Sequence, residues 1–157
     1  VDANPQMKDS TSVAILGSHA DEIAAQLHLP SYALGYVSNE RQIANVYNAA
    51  DVYVLPSLED NLPNTIMEAM ACGVPCVGFR VGGIPEMIDH QRTGYVANFK
   101  DSADLAEGIR WTLDDADRAS LTENALRKVA HNYSQQSVAM RYIEVYNEMI
   151  ALKRYIV

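Results

Sequence analysis

Short apolar runs alternate with stretches of helical spacing along almost the whole chain, and the links between them are short. SVAILG (12–17), SYALGYV (31–37), DVYVLPS (51–57), PCVGF (75–79) and GYVAN (94–98) read as strands. DEIAAQLHL (21–29), NERQIANVYNAA (39–50), TIMEAMACG (65–73) and PEMIDH (85–90) read as helices between them. In the second of these Ile43, Val46 and Tyr47 share one face, and Gly73 ends the third. Residues 101–113, 117–132 and 135 to about 155 close the chain as three further helices. Strict strand–helix alternation predicts an α/β fold, a Rossmann-like open parallel sheet with helices on both faces. The strands carry apolar residues on both faces, as strands between two helix layers must.

At 157 residues, 48% of them apolar, the chain has the length of one domain and enough apolar side chains for a core. The reading is of a single domain over 1–157. No run reaches the ~18 apolar residues of a membrane span, and no signal-peptide pattern opens the chain. Cys72 and Cys76 in CGVPC are expected to be buried, unreactive thiols of a reducing compartment. The expected location is the cytoplasm, with the inner face of a membrane open to the intact enzyme. His19, His28, His90 and His131 are scattered without ligand spacing, so no metal is expected. The net charge of −8 argues against nucleic acid as a partner, since phosphate backbones need a basic surface. A phosphate-bearing ligand would have to be met by backbone N–H groups or a helix N-terminus.

Gly17, Gly35, Pro56–Ser57 and Gly82–Gly83 all follow strands and so fall at carboxyl ends, where open α/β sheets bind ligands. The richest of these segments is PSLEDNLPNTIMEAMACG, from Pro56 to Gly73. Pro63 is placed to open a helix, because its missing N–H costs nothing there. Asn64 and Thr65 add polar groups to the first turn, and such a turn holds anions by backbone N–H groups. Glu68 lies one turn further on, among Ile66, Met67, Ala69 and Met70. A carboxylate there can accept two hydrogen bonds from a vicinal diol such as a ribose. Asp60, in the loop, could meet another polyol. The bland alternative is a solvated helix glutamate and a turn-forming aspartate.

The spacing Pro56-Ser57, Glu68-Ala69-Met70-Ala71, Gly73, Pro75, then Gly82-Gly83-Ile84-Pro85-Glu86 and Gly94-Tyr95-Val96, resembles the retaining glycosyltransferases of the GT-B fold, family 4. YNAADVYVLPS and YSQQSVAMRYIEVYNEMI resemble that family as well, so the likeness covers almost the whole chain. Two departures stand out. The family pairs its acids as E-x7-E, whereas this chain reads D-x7-E with Asp60 first, shorter by one methylene or about 1.5 Å. The family's loop after the first acid is glycine-rich, and here it is NLPN. The family also carries a strand ending in G-R-L, with a lysine beyond, that holds the donor diphosphate and lies ahead of the matched region. The expectation is therefore a piece of a longer enzyme, cut after the first strand–helix unit of its second domain.

The resemblance implies a role for each matched position. Glu68 is the ribose-binding acid and Asp60 the acid that contacts donor-sugar hydroxyls, the two being the catalytic-site carboxylates. Asn61 and Leu62 supply backbone N–H groups near sugar and phosphate, and Thr65 meets a phosphate. Tyr36 and Val37 belong to the loop that reads the base, and Gly83 lines the donor cleft. The implied activity is transfer of a sugar, with retention, from a nucleoside-diphosphate sugar to a hydroxyl acceptor, in polysaccharide or glycoconjugate biosynthesis. No cofactor or metal is implied. The glycan or lipid-linked acceptor would be held by an N-terminal domain. The helix from about 135 to 155 would pack on that domain, and on its own the piece is expected to be inactive and to self-associate.

The alternatives are a nucleotide-sugar epimerase or a glycan phosphorylase on the same plan, or a non-enzymatic flavodoxin-like binding module. A phosphorylase needs a lysine for pyridoxal phosphate, and Lys8, Lys100, Lys128 and Lys153 have no apolar setting in the sequence. Asp115-Ala-Asp117 matches a D-x-D metal motif but reads as a helix-start cluster. Arg80 and His19, both at strand ends, read as surface residues.

Overall fold

The computed structural model describes residues 11–153. The chain divides into two compact units, residues 1–50 and 51–157. Every strand pair in both is parallel, as the alternation requires.

In the first unit β1 (Val13–Leu16) pairs with β2 (Ser31–Gly35), in register from Val13 opposite Ser31 to Leu16 opposite Gly35, with one irregularity after Ile15. Between them α1 (Ala20–Ala24) is five residues long, shorter than the helix expected to Leu29. It has no side-chain cap at His19 and no basic residue in its last turn. Gln26 and Leu27 already donate to carbonyls three residues back, and Pro30 pushes Leu29 towards an extended conformation. The strand expected to reach Val37 stops at Gly35, whose φ of +64° breaks the extended run. Tyr32 and Leu34 are exposed, so two-sided burial does not hold for β2. The last element, α2 (Glu40–Asn48), is capped by Asn39, whose side chain accepts the Gln42 N–H. Of its predicted apolar face Tyr47 is fully buried.

The second unit is a three-stranded sheet in the order β3 (Tyr53–Leu55), β4 (Cys76–Phe79), β5 (Gly94–Ala97). All four residues of β4, the central strand, are buried. Around it run α3 (Asn64–Ala71), α4 (Ile84–Met87), α5 (Ser102–Arg110), α6 (Arg118–Asn132) and α7 (Gln135–Lys153). The core is Ile66 and Met70 of α3, Val77 of β4, and Ile84, Met87 and Ile88 in and beside α4. Gly73, at φ +76°, ends α3 in the left-handed conformation that suits glycine, and the Thr122 hydroxyl of α6 donates to its carbonyl. Lys128 of α6 donates to the Glu86 carbonyl and to Asp89, each at 2.7 Å, holding α6 to the end of α4.

The far side of β5 is closed by side chains. The Val96 N–H donates to His90 Nδ1 at 3.1 Å, and the Asn98 N–H to Asp104 Oδ2 at 2.7 Å. Strand N–H groups left open would template further pairing, and here two are occupied. Tyr95 donates its hydroxyl to the other oxygen of Asp104 and packs edge-on against His90. The α5 backbone comes down on the Tyr95 ring at Gly108, where a Cβ would lie 2.4 Å from Cδ1. The helix expected to Leu113 passes after Arg110 into a π-helical turn, Trp111–Asp115, closed by the Ala116 N–H on the Trp111 carbonyl.

Both cysteines are free thiols. Cys76 is fully buried, and burial pushes its thiol well above the ordinary range. Cys72 departs from the expectation, because it closes α3 at the surface side and is half-buried.

Candidate functional site

The loop after β3 and the turn after β4 meet at the carboxyl end of the sheet. Gly82 has φ +50°, and a Cβ on it would stand 1.6 Å from the Asp60 carbonyl oxygen. A Cβ on Gly83 would stand 2.2 Å from the Asn61 carbonyl oxygen. The Gly83 N–H instead donates to that oxygen at 2.6 Å. Two adjacent glycines are needed because two peptide backbones cross with no room for a side chain between them. This crossing brings Asp60 against Gly82, and Asn61 and Leu62 against Gly83, so that Asp60, Asn61, Leu62 and Gly83, four of the positions singled out in the sequence, lie together.

The loop then enters α3. Pro63 is the residue before the first helical one rather than the first itself, with ψ 116°. Its own carbonyl already accepts the Ile66 N–H, and it has no side chain with which to cap the helix. The N–H groups of Asn64 and Thr65 therefore stand at the helix start without a capping side chain from Pro63, the positive end of the helix dipole. Spacings of three and four residues set the two faces of the helix. Ile66, Ala69 and Met70 are buried, while Asn64 and Thr65 are exposed and Glu68 lies on their side, half-buried.

Behind this face stands Tyr53, the first residue of β3. Its phenol is hydrogen-bonded to the Thr65 side chain and lies within electrostatic reach of Glu68 and Asp60. Burial first, then the nearby thiol and carboxylates, push the phenol above its ordinary value and outweigh the Thr65 hydrogen bond. Sequence reasoning missed Tyr53, although a phenol in a buried strand has a polar tip to satisfy, a signal available in YVL. The Glu68 carboxylate also reaches Cys72, whose thiol is raised by burial and then by that charge.

Asp60, Asn61, Leu62, Thr65, Glu68 and Gly83 thus belong to one end of the second unit. Tyr36 and Val37 belong to the first unit, directly after Gly35 at the carboxyl end of β2. Tyr36 is 85% exposed there. Arg80 ends β4 at the same edge as the Gly82 turn and is exposed. His19 is an exposed partner of Glu22. The D-x-D pair is structural: Asp117 caps α6 through the Ala119 N–H, and Asp115 pairs with Arg110 at 2.7 Å. Among the described residues no group of three His, Cys, Asp or Glu side chains converges on a point that could hold a metal.

Chemically, the arrangement offers N–H groups for an anion at the start of α3, a half-buried carboxylate one turn along, and a second carboxylate in the loop. Parallel α/β layers with ligand-suited loops at their carboxyl edge match one half of a GT-B fold. The chain belongs to the glycosyl transferases group 1 family, whose model matches residues 1–115. It is 29% identical over 130 residues to N-acetyl-alpha-D-glucosaminyl L-malate synthase of Bacillus anthracis, 82% of this chain and 34% of that one. It is 30% identical over 147 residues to N,N'-diacetylbacillosaminyl-diphospho-undecaprenol alpha-1,3-N-acetylgalactosaminyltransferase of Campylobacter jejuni, 92% of this chain and 39% of that one. Among solved structures, HepE of Anabaena in complex with UDP-glucose matches with a TM-score of 0.73 at 21% identity, over 87% of this chain and 41% of that one. The chain therefore spans between a third and two-fifths of the length of these relatives.

Proposed function

We propose that this chain is the donor-binding part of a glycosyltransferase that moves a sugar from a nucleoside-diphosphate sugar to a hydroxyl acceptor with retention. The observation that carries the reading is the backbone crossing at Gly82–Gly83, because it fixes the Asp60–Leu62 loop, which leads into α3, against the turn after β4. In this reading the N–H groups of Asn64 and Thr65 hold a phosphate oxygen. Glu68 accepts hydrogen bonds from the ribose diol, and Asp60 from hydroxyls of the sugar. The backbone of Asn61 and Leu62 borders the sugar and phosphate, and Gly83 lines the cleft. The acceptor, a glycan or a lipid-linked sugar, is held by a further domain. Catalysis rests on position and on electrostatic stabilisation of the leaving diphosphate, with no metal or other cofactor.

The test is calorimetric titration of the chain with UDP, GDP and ADP, each with and without its sugar. Saturable binding of one of these is expected, with no sugar transfer by the chain alone. If none binds at millimolar concentration, the reading is wrong.

A further inference from the structure

We propose that a cavity between the link from α4 to β5 and the C-terminal half of α6 binds a phosphate-bearing anion. This site is separate from the donor site and does not rest on it. The link precedes β5 and so lies at the amino edge of the parallel sheet, where Gly94 stands opposite Cys76, the first residue of β4. The donor loops follow β3 and β4, at the carboxyl edge. The cavity has a volume of about 210 Å³. Sites for drug-sized molecules hold ~300–1,000 Å³, so this one suits a small anionic group and not a whole nucleotide sugar.

Its walls come from two pieces of chain. α6 presents Asn124, Arg127, Lys128 and His131, spaced by three and four residues and so on one face. Leu121 and Ala125 of the same helix are buried. The link presents Asp89, Arg92 and Thr93. It is a tied turn, in which the N–H groups of Arg92 and Thr93 both donate to the Asp89 carbonyl. The Asp89 N–H donates in return to the Thr93 hydroxyl at 2.9 Å. The Asn124 side-chain amide donates to the Arg92 carbonyl at 3.2 Å and fixes one wall to the other. The cavity is thus formed before a ligand arrives, which lowers the cost of binding one.

Charge decides the class of ligand. In a chain of net charge −8, this cavity is lined by three permanent cations and a single carboxylate, Asp89. Lys128 is engaged with Asp89 and the Glu86 carbonyl and serves the fold. Arg127 pairs with Glu123 on the exposed surface, a bond that water and salt weaken and an anion can replace. The Arg141 guanidinium donates to the carbonyl of Asn132, another lining residue, and adds positive charge at the rim. Cations in the last turns of a helix can serve merely to offset its carbonyl groups. Arg92 has no such task, because it faces α6 from another piece of chain. Among the described residues its guanidinium makes no ion pair or hydrogen bond. Its planar fork can donate two parallel N–H groups to a phosphate, and His131 adds a ring N–H.

The experiment is heteronuclear NMR titration of the 157-residue chain with pyrophosphate at constant ionic strength, with sodium chloride as the control salt. A second arm is co-sedimentation with vesicles of phosphatidylglycerol or of phosphatidylcholine. Both arms use the parent, Arg92→Gln, and Lys100→Gln, which removes the same charge beyond the far end of β5. Saturable shifts are expected at the amides of Arg92, Thr93, Arg127, Lys128 and His131. Arg92→Gln should weaken binding about 3- to 20-fold with an unchanged unfolding midpoint, and Lys100→Gln should match the parent. Pyrophosphate binding without vesicle binding makes the ligand a soluble phosphate compound. Binding to phosphatidylglycerol vesicles alone, lost in Arg92→Gln, makes it a lipid head group. The proposal is overturned if pyrophosphate does no more than sodium chloride, or shifts only Asn64 and Thr65 at the donor edge, while vesicle binding ignores Arg92→Gln. Equal losses in Arg92→Gln and Lys100→Gln overturn it too, since net charge alone would then account for the binding.

Discussion

At the scale of single residues the site depends on positions where a side chain cannot be added. Gly82 combines a left-handed φ with a Cβ position inside the Asp60 peptide. Gly82→Ala must move one backbone or the other, and should cost about 1–3 kcal/mol of stability. It should also weaken nucleotide binding more than a surface change of equal stability cost. Chemical denaturation and calorimetry of the same sample check both. Asp104 gives a second residue-scale expectation. The Asn98 N–H first, then the Tyr95 hydroxyl, hold its carboxyl below the ordinary aspartate range. A folded pKa below the unfolded one adds stability above the unfolded value of about 4, and that stability fades as pH falls through the folded value. Asp104→Asn should therefore lower stability at pH 7 and flatten its decline below about pH 4. Unfolding midpoints from pH 7 to pH 2.5 measure this, and identical slopes in parent and variant would show that Asp104 has no such part.

At the scale of elements, α5 meets β5 where Gly108 meets Tyr95. Gly108→Ala puts a methyl into the ring and should lift the helix, at about 1–3 kcal/mol for overpacking. Hydrogen exchange at the Asn98 amide should quicken, because its acceptor Asp104 rides on α5. The order of strands and helices was legible in the sequence because alternation repeats over many residues. Their ends were less so. A stop at Gly35 or at Ala24 is decided by one φ angle or one uncapped turn, which periodicity averages away. The loop-and-helix segment from Pro56 to Gly73 was legible through its turn residues. The crossing with Gly82–Gly83 follows from how two distant loops pack, and the tie from Tyr53 to Thr65 from which face of a strand lies under which turn of a helix. Neither is a local property of the chain.

At the scale of the whole molecule, α7 carries a run of exposed apolar side chains. Tyr142, Val145, Tyr146, Met149, Ile150 and Leu152 are each more than half exposed. A large apolar patch is uncommon on the surface of a stable monomer. The 157-residue chain should therefore self-associate, with sedimentation coefficients rising over the micromolar range, and Tyr146→Glu with Ile150→Glu should return it to a monomer. A concentration-independent monomer would contradict this. The account as a whole turns on Glu68 as the ribose acceptor, and one comparison tests that directly: calorimetric affinity for the nucleoside diphosphate that binds and for its 2′,3′-dideoxy form, in the parent and in Glu68→Ala. The parent should prefer the diol by about 1–3 kcal/mol, roughly 5- to 150-fold, and Glu68→Ala should bind both forms equally at the weaker affinity. A parent indifferent to the diol, or a Glu68→Ala chain that keeps the full preference, would contradict the account.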